Sequence, residues 1–281
     1  MKLSLGFSPC PNDTFIFDAL IHHKIDTEGL DFEVSFDDVE TLNQKALKGE
    51  LDITKLSFHA MAYVLDRYAL LDSGSALGFG VGPLLICSNK ELLELQSPDP
   101  GLTVGIPGKL TTANFLLGIA YPGLVHKKVM VFSEIEEALL KNEIDLGLII
   151  HENRFTYMDK GLHKIVDLGS FWENLTGCAI PLGGIVINRN LSPQVQQKFN
   201  RVLRKSVEYA FENPKSGIDF IRQHAQEMDE TVMYKHIELY VNKYSLELGQ
   251  EGRKAIDTLF EMAQSKGIIP EISHPVYVNT Y

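Results

Sequence analysis

The sequence predicts an α/β protein of two lobes, and three observations lead to this prediction. Apolar runs typical of strands alternate along the chain with amphipathic runs typical of helices. Residues 145–151 (DLGLIIH) are apolar between their first and last positions, as in a central strand covered on both faces. Two apolar runs marked by glycine and proline, residues 78–89 and 180–190, are typical of crossings between domains. A cleft between two such lobes is a common place for a ligand.

Composition and charge narrow the class of protein. The chain has 281 residues, 44% of them apolar, and a formal net charge of −11, which argues against binding to nucleic acid or to an anionic membrane. The N-terminal residues do not have a signal-peptide pattern and no run approaches the length of a membrane span, so we expect a cytoplasmic protein. The three cysteines, Cys10, Cys87 and Cys178, are too far apart to predict a disulfide framework or a zinc site.

The first part of the chain predicts strands that are each followed by a helix. The strands are residues 3–7, 30–36 and 51–56, and the helices are those carrying residues 15–20, 42–47 and 57–65. Asp37 and Asp38 are expected to cap the second helix at its start, and Gly49 to end it. Asn12 or Asp13 is expected either to cap the first helix or to contact a ligand.

The middle of the chain repeats this pattern, and its last part is helical. The strands are residues 102–106, 129–132 and 145–151, with helices that open at Thr111–Thr112 and at Ser133, where Glu136 completes a capping-box pattern. A long amphipathic helix from Ser192 and three more helical segments follow, and the tail is either an edge strand or a wrap. We therefore expect a larger lobe of residues 1–88 plus 187–281 and a smaller lobe of residues 89–186.

Small polar residues stand where the predicted strands end, and this edge of an α/β sheet is where ligands bind. The first lobe supplies the loop of residues 8–14 (SPCPNDT) and the run Lys55, Leu56 and Ser57, and the second lobe supplies Thr111 and Thr112. Hydroxyl groups and the backbone N–H groups of helix starts suit a carboxylate ligand. A second interpretation stays open, in which Ser57 and Thr111 only cap their own helices.

Among the nine histidines, His151 alone ends a buried apolar run at the predicted ligand edge. Most of the others stand beside charged residues, and we expect those to be solvated. His151 is therefore either a general base or a satisfied polar group behind the site. It has no HExxH motif or Cys/His cluster beside it, so we expect no metal. The GFGVG run near residue 80 precedes a strand instead of opening a helix, so it does not predict a dinucleotide site.

Several segments together resemble one known family. They are SPCPNDTFIF (8–17), DDVETLN (37–43), TKLSFHA (54–60), the pair Thr111–Thr112 after a glycine loop, and IIHENRFTY (149–157). Over essentially the whole chain, the sequence is similar to the 1,4-dihydroxy-6-naphthoate synthases of the futalosine route to menaquinone. The resemblance implies a two-lobed periplasmic-binding-protein-like (type II) fold with the ligand cleft between the lobes.

The same resemblance implies a function and site residues. The family converts cyclic dehypoxanthinyl futalosine, a carboxylate, to 1,4-dihydroxy-6-naphthoate without a metal or redox cofactor. By position, His151 would be the base, and Lys55–Ser57 and Thr111–Thr112 would contact the substrate. Because the product is aromatic, one base that works near neutral pH is sufficient for the chemistry.

Other assignments stay open at this point. A solute-binding protein for a small carboxylate would share the lobes, and the sibling chorismate dehydratase of the same pathway would share the fold. If His151 is not the base, Asp13 and Glu152 are the next candidates.

Overall fold

The computed structural model describes residues 1–94, 97–151, 153–225 and 229–278. The chain divides into two units, Met1–Gly78 with Pro181–Tyr281, and Phe79–Ile180. We predicted that the chain changes lobes after residues 88 and 186, which is later than observed. The difference arises because the strand after residue 83 pairs inside the second unit, and most of the strand after residue 180 pairs inside the first. Among the described residues, every helix is too short or too polar to cross a membrane.

The first segment of the chain builds half of the first sheet. Its elements are β1 (Lys2–Phe7), α1 (Pro11–Ile21), β2 (Asp31–Phe36), α2 (Val39–Lys48), β3 (Ile53–Ser57), α3 (Phe58–Met61), β4 (Tyr68–Leu70) and β5 (Ala76–Gly78). Strand β1 pairs in parallel with both β2 and β3, so the carboxyl ends of these strands lie at one edge. The predicted caps of α2 at Asp38 and Gly49 are confirmed, since Asp38 accepts two backbone N–H groups and Gly49 has a φ of +72°. Asp37 is also predicted to cap α2, but it pairs with Lys45 instead.

Two local predictions in this segment are wrong. The N-cap position of α1 is Cys10, and Asn12 and Asp13 lie inside the helix, because Pro11 already supplies its first residue. Helix α3 ends at Met61 and not at residue 65, because the backbone beyond it tightens into three-residue turns such as Tyr63 N–H to Ala60 O.

The second unit has its own sheet. Its elements are β6 (Leu84–Cys87), β7 (Val104–Ile106), α4 (Thr112–Ala120), β8 (Lys127–Val129), α5 (Ile135–Leu140), β9 (Leu146–Ile149), α6 (Asn153–Thr156), β10 (His163–Asp167) and α7 (Leu168–Thr176). The strand order is β10–β6–β9–β7–β8, which confirms that the apolar run before His151 is a central strand. Because β7 and β9 are parallel neighbours, the loops after them leave the same edge of this sheet.

The predicted capping box of the second unit is wrong. The strand β8 ends at Val129, and buried Phe132 then opens a 3₁₀ turn of residues 132–134 that includes Ser133. Helix α5 begins only at Ile135, and Glu136 pairs with Lys160 at 2.5 Å instead of reaching back to a cap.

The last segment returns to the first sheet and covers it. Its elements are β11 (Ile180–Asn188), α8 (Pro193–Glu212), α9 (Ile218–His224), α10 (Glu230–Tyr240), α11 (Lys243–Leu246) and α12 (Gly249–Ser265). Strand β11 lies between β3 and β4, in the order β2–β1–β3–β11–β4 with β5 on β11. The long helix predicted from Ser192 is confirmed as α8, with Ser192 as its N-cap. Within the described residues, α9–α12 are one helix more than predicted. In the tail, Tyr277 makes a parallel bridge to Leu70.

Candidate functional site

A buried ion pair lies at the carboxyl edge of the first sheet. Lys55 Nζ on β3 lies 2.7 Å from Asp13 Oδ1 on α1, and the two side chains are 8% and 2% exposed. The other carboxylate oxygen, Oδ2, accepts hydrogen bonds from Ser8 Oγ at 2.7 Å and from Ser8 N at 3.3 Å. The ion pair thus joins Lys55, a predicted substrate-binding residue, to the first turn of α1 and, through Ser8, to the loop before that helix.

Asn12 connects this ion pair to α10. Its Nδ2 donates to Asp13 Oδ1 at 2.8 Å, and its Oδ1 lies 2.9 Å from Nε2 of His236, which is fully buried. The expectation that most histidines are solvated is wrong for His236 and for buried His59. The sequence held a signal for His236, because the buried residues of α10 recur at helical spacing and include it.

Ser57 is held by a residue that the sequence analysis missed. Asn43, buried on α2, accepts from Ser57 N at 3.1 Å and donates to Ser57 Oγ at 3.3 Å. The hydroxyl of Ser57 therefore bonds to α2 and not to α3, although Ser57 occupies the N-cap position of α3. Leu56 has a buried side chain, and β11 passes its carbonyl so closely that a Cβ at Gly183 would lie 2.6 Å from that oxygen.

In the second unit, Thr111 is the N-cap of α4. Its hydroxyl accepts from Asn114 N at 3.2 Å and donates to Gly108 O at 2.9 Å, so it closes the loop between β7 and the helix. Thr111 and Thr112 are both buried. The capping interpretation therefore holds for the Thr111 hydroxyl. Thr112 is the first residue of α4, where the first backbone N–H groups of the helix lie.

His151 lies in the turn directly after β9 and Ile150, at the same edge of the second sheet as the Thr111–Thr112 loop. Its φ is +58°, a left-handed conformation that costs energy for a residue with a side chain. The other residues of this kind among those described, His23, Glu28 and Asn142, do not follow a buried strand. The half-buried ring packs edge-on against Phe132 with 4.9 Å between ring centroids.

Arg154 anchors the segment that follows His151. Its backbone N–H points to His151 O at 3.4 Å, and its Nη1 donates to Gly82 O at 2.6 Å. Its Nη2 lies 3.5 Å from Asp167, whose other oxygen caps α7. These contacts tie the turn of His151 to two other parts of the second unit. Glu152, one of the two further candidates for the base, lies outside the described residues.

In the part of the chain that the structure describes, the cysteines and the potential metal ligands do not form a second centre. The three cysteines are all buried, and burial raises the pKa of the Cys87 thiol. Within residues 1–94, 97–151, 153–225 and 229–278, no group of three or more histidine, cysteine or acidic residues could hold a metal ion.

Comparison with known proteins places the chain in a family. Residues 3–265 match the sequence model of a family described as menaquinone biosynthesis. A relative from Thermus thermophilus, named 1,4-dihydroxy-6-naphthoate synthase, is 44% identical over 276 residues, which are 98% of this chain and 99% of the relative. A relative of the same name from Streptomyces coelicolor is 41% identical over 275 residues, or 96% and 95% of the two chains.

Solved structures support the fold. A crystal structure of an Archaeoglobus fulgidus protein matches with a TM-score of 0.89 at 35% identity, over 95% of this chain and 98% of that chain. The periplasmic aliphatic sulphonate binding protein of Escherichia coli matches with a TM-score of 0.64 at 9% identity, over 100% and 94% of the two chains. This second likeness shows the fold alone, and it confirms the predicted periplasmic-binding-protein-like class.

Proposed function

Because this chain belongs to the menaquinone biosynthesis family, we propose that it is the lyase that converts cyclic dehypoxanthinyl futalosine to 1,4-dihydroxy-6-naphthoate. The observation that carries the proposal is the identity of 41% and 44%, over nearly the full chain, to two enzymes named for that product. The fold by itself does not favour an enzyme, because a solute-binding protein shares it. We propose the cytoplasm as the place of the reaction.

In this proposal His151 is the general base. It takes a proton from a carbon next to a carbonyl group of the substrate, and the sugar-derived fragment then leaves as the ring becomes aromatic. The rigid central strand β9 and the anchored residue Arg154 support this role, because a base must be held in one orientation. The cost of the left-handed backbone at His151 is also typical of residues whose position serves a reaction.

We further propose that Lys55–Ser57 and Thr111–Thr112 contact the substrate. Ser57 and the start of α4 offer hydroxyl and N–H donors, which suit the substrate carboxylate. The Thr111 hydroxyl acts through the loop that it closes, because it already bonds to Gly108 and Asn114. The reaction in this proposal uses no metal or redox cofactor.

The test of the function is incubation of the purified protein with cyclic dehypoxanthinyl futalosine, followed by mass detection of the naphthoate. We expect turnover with catalytic amounts of protein. A solute-binding protein would bind a carboxylate without turnover, and a chorismate dehydratase would consume chorismate instead. Either of these results would overturn the proposal.

The test of the base is a single-turnover measurement on His151→Asn. We expect a loss of about a hundred- to ten-thousandfold in rate, with the fold and substrate affinity retained. His126→Asn is the matched control, because His126 is an exposed histidine of the same unit. A near wild-type rate for His151→Asn would show that another group is the base.

A further inference from the structure

A continuous run of buried hydrogen bonds crosses the first unit. It links His236 on α10, Asn12 and Asp13 on α1, and Lys55 on β3, with contacts of 2.9, 2.8 and 2.7 Å. Ser8 adds its hydroxyl from the end of β1. All five residues are at least nine-tenths buried, although Asp13 and Lys55 form an ion pair and Asn12 and His236 carry an amide and an imidazole. Such a cluster is costly to bury unless its members are paired, as they are here.

The direction of each hydrogen bond in this run follows from chemistry. An ammonium group only donates, so Asp13 is the acceptor from Lys55. The Asn12 amide donates to the same carboxylate, so its oxygen faces His236, and Nε2 of His236 must carry the proton. The Ser8 hydroxyl and backbone N–H donate to the other oxygen. Each oxygen of Asp13 thus accepts two hydrogen bonds.

This arrangement makes Asp13 a poor candidate for the base. A substrate proton could reach its carboxylate only after one of the donors had been displaced. The same arrangement holds Lys55 in one place, because the carboxylate that accepts from it is itself fixed by Ser8 and Asn12. Asn12 in turn is held by His236 on α10. One of the three N–H groups of Lys55 is directed to Asp13. Among the contacts of the described residues, the other two N–H groups remain for a ligand oxygen.

We propose that Asp13 is a positioning residue, fixed by Asn12 and His236, that aims the ammonium group of Lys55 at an uncharged oxygen of the substrate. The ligand oxygen is a hydroxyl or carbonyl group, because the pair of Lys55 and Asp13 is neutral as a whole. A carboxylate at Lys55 would be repelled by Asp13 over nearly the same distance. The identity of the substrate rests on the proposed function. The positioning of Lys55 by Asp13 does not depend on that function.

The kinetic test is a double-mutant cycle with Asp13→Asn and Lys55→Met. We expect each single variant to lose about ten- to a hundredfold in kcat/KM, the value of one hydrogen bond from a charged group. The double variant should be no worse than Lys55→Met alone, because Asp13 acts only through Lys55. It also removes both buried charges, so it is expected to fold even if a single variant does not.

The matched control is Asp18→Asn with Lys24→Met. Asp18 is a second buried carboxylate on α1 that pairs with a lysine, at 2.6 Å, but outside the run that ends at Lys55. We expect this control to change stability without changing turnover. Equal losses of turnover in both cycles would show that Asp13 has only a structural role. The same conclusion would follow if the loss in the Asp13→Asn, Lys55→Met double variant equalled the product of the two single losses.

A second readout does not depend on activity. In protein labelled with ¹⁵N-lysine, we expect one slowly exchanging ammonium signal that Lys55→Met removes. Asp13→Asn and His236→Phe should broaden or shift it, and His236→Gln, which keeps a donor, should preserve it. An unchanged signal in Asp13→Asn would overturn the proposal. If the wild-type protein does not convert the futalosine, the proposed function fails, and this spectrum still decides whether Asp13 positions Lys55.

Discussion

Replacing Asn43 with alanine should destabilise the first unit and loosen Ser57. Asn43 is fully buried and makes two hydrogen bonds to Ser57, one with its amide oxygen and one with its amide nitrogen. The alanine variant leaves the backbone N–H of Ser57, itself buried, without this acceptor. The predicted effects on stability and on substrate affinity have the same cause, because β3 and its last residue carry the proposed substrate contacts.

The magnitude follows from these contacts. Two hydrogen bonds contribute about 1 kcal/mol each, and a buried N–H that loses its partner adds up to about 1 kcal/mol. Alanine regains about 0.5 kcal/mol through its higher helix propensity. We therefore expect the free energy of unfolding to fall by about 2 kcal/mol. Asn43→Asp should keep the bond to Ser57 N but lose the donor, and it places a buried charge beside Glu40.

The assay is urea unfolding followed by circular dichroism, with substrate affinity measured on the same samples. Gln44→Ala is the control, because Gln44 is the exposed neighbour of Asn43 and bonds to the same Glu40. This control should change the free energy of unfolding by less than about 0.5 kcal/mol. If Asn43→Ala behaves like Gln44→Ala in both stability and affinity, the bonds to Ser57 do not have the role given to them here.

Three further changes test other parts of the structure. Arg154→Ala removes the side-chain anchors after His151 and should lower kcat more than about tenfold with little change in KM, as steady-state kinetics will show. Ser206→Ala removes a buried hydroxyl that bridges two backbone groups of α1 and should cost about 1–3 kcal/mol in urea unfolding. Hydrogen bonds from Arg201 and Lys205 lower the pKa of Glu28 from 4.5 to about 2. The stabilisation from Glu28 is therefore present above about pH 4.5 and lost as the pH falls towards 2. In thermal melts, Glu28→Gln should lower stability by about 1 kcal/mol at pH 7 and by almost nothing near pH 2.

Each of these predictions has a control in the same chain. Lys128→Ala breaks an exposed ion pair of the second unit and should leave kcat unchanged. Ser265→Ala removes an exposed helix hydroxyl and should cost less than about 0.5 kcal/mol. Glu33→Gln removes an exposed ion pair with Lys2 and should change stability by less than about 0.5 kcal/mol at pH 7. The reasoning fails where a variant and its control respond alike.

Local sequence patterns were sufficient for most of the fold. The alternation in residues 30–36 and the caps at Asp38 and Gly49 each depend on neighbours within a few positions, and the structure has the strand and both caps. The apolar run before His151 predicted the central strand of the second sheet, because a strand covered on both faces needs apolar side chains on both.

Tertiary packing decided what the local patterns left open. The polar residues of the first loop looked like caps, but Asn12 and Asp13 lie inside α1 and bond to residues brought in by other elements. Asn12 and His236 are separated by 224 positions, and no pattern within one helix or strand could pair them. Ser57 bonds to Asn43 because α2 packs beside β3, and not because of the helix that Ser57 begins. A buried polar side chain needs a hydrogen-bond partner, because leaving it unpaired costs free energy. Which residue becomes that partner depends on the distant segments that pack beside it in the folded chain, and local sequence patterns do not contain this information.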